Sequence, residues 1–293
     1  MLVRYCNAAC QLKHWATHKK ECKLQAAELH DVALFKDPPP KEDCPICFLP
    51  MSINLLCCAS LPLATTLSVP IYDFAHAHEE LAGKNTEEYY ACCGKYICQG
   101  CLYSLHCSGD NTKCPFCNSD RASKTDEENI EEGMKRVAAN DAGAMYILAG
   151  FYYQGVQSFQ QDYVKAIELF TKSADLGFSK AHNKLGDIYQ NGGDLKKAEF
   201  HLEAAAMAGN EVARNNLGVM QYNLGNRERA MKHWMIAASA GCFNAMYHLI
   251  TFFKKGYVSR ESINSTLASY NSSCAEIRSD TRDACICAII KNM

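Results

Sequence analysis

The sequence predicts a mostly α-helical chain in which a small cysteine-rich finger precedes an α-helical repeat solenoid. Three observations predict it. Eight cysteines between residues 44 and 117 fall into four pairs. Cysteine then thins out, with fourteen of the eighteen lying before residue 118. From about residue 140 small residues recur with a period of 32, the mark of stacked supersecondary units. A length of 293 residues leaves room for two domains.

Residues 1–25 form the first element. Cys6-x3-Cys10 and His18-x3-Cys22 flank His14-Trp15. The run Tyr5-Cys6, Cys10-Gln11, His14-Trp15, His18-Lys19 and Cys22 resembles the second half of a MYND finger. Family members carry two further cysteine pairs upstream and interleave two zincs. Against that pattern three readings stand open: an incomplete gene model, a decayed remnant, or one rearranged site of Cys6, Cys10, His18 and Cys22. The third would add a zinc ion at the N-terminus. Complete MYND fingers bind short proline-containing peptides, which half a finger need not do.

The second element, residues 41–120, reads Cys44-x-x-Cys47, Cys92-Cys93, Cys98-x-x-Cys101 and Cys114-x-x-Cys117. A Cys-x-x-Cys turn brings two sulfurs to one metal, so eight thiolates suffice for two closed tetrahedral zinc sites. Such sites keep no open position for water or substrate, which argues against hydrolysis at the metal. Their work is to fold a segment that lacks a sizeable core. Met1–Cys10 holds a charge and no apolar run, so nothing there reads as a secretory signal. The expected location is cytoplasmic or nuclear, where thiols stay reduced and open to metal.

The order of these pairs resembles a RING finger of the all-cysteine kind. In that family ligand pairs one and three share one zinc, and pairs two and four share the other. The resemblance implies a first site of Cys44, Cys47, Cys98 and Cys101 and a second of Cys92, Cys93, Cys114 and Cys117. Lys95 stands where most members have a histidine, and the 44 residues between Cys47 and Cys92 exceed the usual gap. Adjacent Cys92 and Cys93 make an awkward bite, so Cys57, Cys58, His106 or Cys107 remain open as replacements. Within the gap, Asn54–Leu63 reads as a strand and Tyr72–Gly83 as a short helix with solvated His76 and His78.

Family members dock a ubiquitin-conjugating enzyme on an apolar surface and form no covalent intermediate of their own. The matched docking positions are Ile46, Leu102 or Tyr103, and Pro115. Asn118 follows the last cysteine, where a basic residue often holds ubiquitin, and the nearest positive charge is Arg121. Ubiquitin ligase activity and a non-catalytic, zinc-stabilised adaptor are therefore both open. For Ile46 and Pro115 the plainer alternative is packing around the zinc turns.

The third element, residues 126–293, is the repeat array. Ala181, Ala213 and Ala245 stand 32 residues apart, as do Gly177, Gly209 and Gly241. Ala166, Ala198 and Ala230 keep the same period, as do Ala174, Ala206 and Ala238. The period predicts helix pairs Lys180–Gln190 with Asp194–Ala208, and Glu211–Asn223 with Arg227–Ala240. Gly177, Gly192, Gly209, Gly225 and Gly241 fall just past helix ends, where a left-handed cap suits glycine. Leu185-Gly186 and Leu217-Gly218 mark close helix contacts. Met145–Gly177 reads as an earlier copy with a longer loop near Val156–Gln161. The motif Ala-x3-Leu-Gly-x2-Tyr, at Ala181–Tyr189, and Ala-Ala-x-x-Gly, closing at Gly209, resemble Sel-one-like repeats, relatives of tetratricopeptide repeats. The resemblance implies a solenoid that binds a protein partner. Ser262–Tyr270 and Cys274–Ile290 are expected as a weak last helix and a capping helix. Thr125–Glu128 reads as a capping box for a helix whose Ile130, Met134 and Val137 face the first repeat, with Asn118–Lys124 as a flexible boundary.

Other function classes are disfavoured. A net charge of −2, with no lysine-rich run or aromatic-basic stripe, offers nucleic acid little. No apolar stretch approaches the roughly 18 residues that a membrane-spanning helix needs. Neither a glycine-rich phosphate loop nor a nucleophile-base constellation is present.

Overall fold

Helix α1 (Trp15–Leu34) opens the structure and runs into an extended segment. The computed structural model describes residues 15–51, 87–109, 112–156 and 159–291, with side chains between residues 23 and 285. The side chains of Cys6, Cys10, His18 and Cys22 lie outside that description. So do Cys57, Cys58, His76, His78 and the strand and helix expected around them.

The finger is built on an antiparallel hairpin, β1 (Glu87–Tyr90) and β2 (Lys95–Cys98), with Tyr90 opposite Lys95. Gly94 turns it with φ 71°, its amide and that of Cys93 both bonding the Tyr90 carbonyl. Helix α2 (Gln99–Ser108) follows directly. Helix α3 (Asp126–Ala138) links finger to array and starts in the capping box that Thr125–Glu128 predicts. The Glu128 amide donates to the Thr125 hydroxyl, and the Thr125 amide donates to the Glu128 carboxylate. Val137 of this helix packs on the first repeat, but Met134 is 45% exposed. Segment 118–124, expected as a flexible boundary, is tied down. The Asp120 carboxylate accepts from the Ala122 and Ser123 amides, and Lys124 reaches Ser119 and Glu132.

The array consists of helix pairs α4 (Ala142–Gln154) with α5 (Tyr163–Asp175), and α6 (Ser179–Asn191) with α7 (Leu195–Met207). Next come α8 (Glu211–Asn223) with α9 (Arg227–Ser239), and α10 (Phe243–Lys254) with α11 (Arg260–Glu276). Asp141, Asp162, Asp194 and Asn210 each start a helix by accepting a bond from the amide three residues on. Gly193, not Gly192, takes the left-handed conformation after α6, at φ 81° against −78°. The sharp turn therefore falls one residue after the expected Gly192, at Gly193, 32 residues before left-handed Gly225 and directly ahead of the α7 cap at Asp194. Alanine and leucine at the repeating positions form the apolar clusters between pairs, with Ala181, Ala198, Ala213 and Leu217 fully buried.

The C-terminal end departs from expectation. Helix α11 is longer than Ser262–Tyr270 and includes Cys274, which is buried against the last core cluster. Helix α12 (Asp280–Lys291) does not cap the end of the array; it returns to the finger and packs against α2. Buried Cys285 sits on that helix. The finger is therefore gripped by both ends of the repeat array. Among the described residues no helix is long and apolar enough to cross a membrane.

Candidate metal centre

Two Cys-Pro-x-Cys segments form the same turn. In the first, the Cys44 amide donates to Leu49, the Phe48 amide donates to Cys44, and Asp43 bridges Pro50. In the second, the Cys114 amide donates to Ser119, the Asn118 amide donates to Cys114, and Lys113 bridges Asp120. Phe48 and Asn118 close the turns with φ of 54° and 57°. Each turn points two sulfurs inward. Cys98 at the end of β2 and Cys101 in the first turn of α2 supply a third pair. Cys92 and Cys93, in the hairpin turn, supply the fourth.

These pairs gather by alternation. Cys44 and Cys47 meet Cys98 and Cys101, while Cys92 and Cys93 meet Cys114 and Cys117, all sulfurs of a group lying within 4.8 Å of one another. Cys44 and Cys101 are 3.8 Å apart, Cys47 and Cys98 3.8 Å, and Cys93 and Cys114 3.7 Å. A disulfide would need about 2.0 Å. A zinc ion about 2.3 Å from each of four sulfurs sets neighbouring sulfurs about 3.8 Å apart. The donor set and its spacing fit zinc. His106 and Cys107, weighed as replacement ligands, sit exposed on α2 and outside both groups.

Electrostatics points the same way. The bond with Cys101 holds the Cys44 thiol well below its ordinary range, and the same contact pushes Cys101 up. Burial pushes Cys92 and Cys93 up, the nearby Cys114 adding to it. Four such thiols cannot all ionise at this range without a cation, because each new thiolate repels the others. A divalent ion removes that obstacle.

The expected docking residues lie on the rim. Ile46 is 36% exposed and its neighbour Phe48 76%. Pro115 is exposed on the other turn, while Leu102 and Tyr103 are half-buried on α2. Leu102 lines a cleft of about 990 Å³ between finger and array, with Tyr96, His106, Tyr146 and Phe151.

Two arginines that carry no motif hold the finger in place. Arg136 of α3 donates to the carbonyls of Ala91 and Cys92, at 3.1 and 2.9 Å. Arg282 of α12, only 5% exposed, donates to Pro50 at 2.9 Å, Leu49 at 3.3 Å and the Cys47 sulfur at 3.6 Å. Gly100 makes room for it, since a Cβ there would lie 2.5 Å from the Arg282 side chain. Tyr89 adds a 2.9 Å bond to Asp141, and the Tyr96 ring stacks on Phe178 at 6.1 Å. Sequence reading missed both arginines because an isolated arginine among polar neighbours looks like ordinary surface charge.

Arg282 places a cation against the Cys47 sulfur of the first group and bonds the loop that carries it. Residues that support metal ligands in this way are worth about ten- to a hundredfold in metal affinity. Arg282→Met should therefore speed zinc loss from the first group about tenfold in a chelator-competition time course. The second group should keep its rate. Equal acceleration at both groups would rule out a local role.

Two interleaved four-sulfur groups and a stack of helix pairs define a zinc-finger protein with a repeat array for protein interaction. The MYND finger family matches residues 1–22, and the Sel1 repeat family matches residues 142–178 and 179–210. The chain thus carries a MYND finger segment at its N-terminus followed by Sel1 repeats. HRD3A of Arabidopsis thaliana, an ERAD-associated E3 ubiquitin-protein ligase component, is 38% identical over 52 residues. That stretch is 18% of this chain and only 8% of the relative. A Sel1 repeat protein from Oxalobacter formigenes is similar at 24% identity and a TM-score of 0.46, covering 61% of this chain and 72% of its own. A protective antigen of uropathogenic Escherichia coli with an SLR fold is similar at 20% identity and a TM-score of 0.42, over 66% of this chain and 44% of its own.

Proposed function

We propose that the finger is a RING-type module that binds two zinc ions through Cys44, Cys47, Cys98, Cys101 and Cys92, Cys93, Cys114, Cys117. It docks a ubiquitin-conjugating enzyme while the repeats hold the protein to be modified. One observation carries the reading: exposed apolar Ile46, Phe48 and Pro115 crown two metal-binding turns whose sulfurs face inward. Leu102, on the helix after the third pair, supplies the remaining apolar contact. The metals supply rigidity alone, since each has four protein ligands. Reduced thiols suit a protein of the cytoplasm or nucleus. The short match to a ligase component agrees with this reading.

A second reading has its own support. Asn118 stands where a basic residue would hold ubiquitin, and Arg121 is already engaged. Its guanidinium lies 4.2 Å from the Tyr90 ring centroid and 3.3 Å from Glu88. A non-catalytic adaptor needs no such residue.

A ubiquitin-transfer assay over a panel of conjugating enzymes separates the two. Burying an isoleucine side chain is worth about 1.5–3 kcal/mol. Ile46→Ala should therefore weaken transfer about tenfold or more while zinc content stays at the wild-type value. A fully metallated protein that transfers nothing with any enzyme of the panel leaves the adaptor.

A further inference from the structure

The last turn of α1 and the extended segment that follows it lie across the middle of the array, in a groove formed by α7, α8 and α9. Asp31 meets Arg229 with both carboxylate oxygens at 2.7 Å. Leu34 is fully buried among Ala198, Leu202, Ala206, Ala213 and Leu217. Its carbonyl accepts from Arg214, itself only 2% exposed, at 2.7 Å. The Phe35 ring lies 4.8 Å from the His233 ring, with Arg229 and Lys232 beside it. Pro39 packs on Gly209, and Lys41 reaches Glu211 at 3.2 Å and the Ala240 carbonyl at 2.9 Å. Every feature of a peptide site is present: an anchoring pocket, a charge at each end, and a buried arginine holding the main chain.

The fit is incomplete. His233 is fully buried, and neither of its ring nitrogens has a hydrogen-bond partner among the described residues. Glu211, 2% exposed, leaves Oε2 unpaired, and Asn215, 6% exposed, leaves Oδ1 unpaired. Buried polar groups in folded proteins are mostly hydrogen-bonded, to protein or to ordered water. The end of α1 that leads into this groove also leaves apolar side chains uncovered, with Leu29 47% and Val32 71% exposed.

We infer that this groove is a peptide-recognition site and that residues 30–41 are its resident pseudo-ligand. It takes, in trans, a partner segment of the same order: an acidic residue, a leucine three positions on with an aromatic ring after it, then proline and lysine. The inference rests on the reading that the repeats capture a protein partner, and it names that partner's chemistry. A tethered segment competes at an effective concentration in the millimolar range for short linkers, so a free partner sees only the small fraction of open grooves.

The test uses the full chain and a fluorescent peptide copying its residues 27–42, read by anisotropy. The variant Asp31→Ala/Leu34→Asp should release the resident segment and bind the peptide at least tenfold more tightly than wild type. Adding Arg229→Glu should remove that gain, and a peptide carrying Asp31→Arg should restore it. Circular dichroism reports whether the double variant stays helical. If it does not, Asp31→Ala alone serves: its carboxylate is half-exposed, and loss of the Arg229 ion pair should loosen the resident segment enough to raise peptide binding above wild type. The inference is overturned if a folded, released variant binds no better than wild type. Indifference to Arg229→Glu, or self-association with no gain in peptide binding, overturns it too. None of these readouts involves ubiquitin transfer, so failure here is separate from failure of the ligase reading.

Discussion

Stripping the metal should unfold the finger and, at the same time, free a helix at the other end of the chain. Among the described residues, the fully buried finger core is Cys44, Cys98, Cys101 and Cys114 with Tyr90 and Ile97, and Met51, Leu102, Leu105 and Phe116 pack against it partly buried. Fully buried apolar side chains are worth about 1.5–3 kcal/mol each. A structural zinc site contributes about 10–16 kcal/mol of folding free energy. With zinc bound as proposed, the metals outweigh the buried apolar side chains of the described finger residues. Helix α12 rests on that finger, through Arg282 on the 47–50 loop and through α2. Hydrogen exchange should thus lose protection at residues 44–50, 87–101 and 280–285 together once chelator is added. The helix pairs from α4 to α11 should keep theirs, because their buried clusters contain no cysteine of either four-sulfur group. Metal analysis should return two zinc ions in the finger, and Cys47→Ser or Cys117→Ser should reproduce the local loss. Full protection at 280–285 after complete metal removal would break the link between the two ends.

Gly218→Val should give the largest loss of stability of any single substitution in the array. A Cβ at Gly218 would lie 2.4 Å from the indole nitrogen of Trp234, an approach that packed atoms do not make. Trp234 cannot yield. It is 1% exposed, with Phe252 edge-on at 5.0 Å and His248 stacked at 4.7 Å. Overpacking of this kind costs about 1–3 kcal/mol or more, and a branched residue in mid-helix adds to it. For a domain of this size that is a fall in Tm of about 5–10 °C. The equivalent Gly186 would set its Cβ 2.6 Å from Leu202, a smaller chain that can change rotamer. Gly186→Val should therefore cost visibly less. If the two substitutions prove equal, the rigidity of the Trp234 environment is not what decides the loss.

Much of this arrangement was legible because local rules wrote it. The sulfurs stand in the groups that the resemblance to a RING finger implies; that they ligate zinc is the reading proposed above. The 32-residue period located the helix pairs within a residue or so, since helix caps and small contact residues must recur in every unit. What could not be read depends on where distant segments land. Nothing about Leu34, Phe35 or Asp31 distinguishes them from the end of an ordinary polar helix until Arg214, Arg229 and His233 are brought opposite. Asn118–Lys124 reads as a linker by composition, yet Asp120 folds its own amides back and Arg121 covers Tyr90. The last helix looked like a cap because an array end needs one. Its Arg282 finds a better use on the finger, where three acceptors wait within 3.6 Å.

The span between Cys47 and Arg282, 235 positions, has a consequence during synthesis. Cys117 leaves the ribosome 165 residues before Arg282. At about 5–20 residues per second, the finger is complete roughly ten to thirty seconds before its clasp exists. For that interval it holds the zinc ions proposed above without Arg282, whose bonds to the Leu49 and Pro50 carbonyls are not yet made. A message cut short anywhere in the array yields a finger that never acquires this lock. Finished and unfinished chains therefore differ at a surface near the start of the protein, where a degradation system could tell them apart.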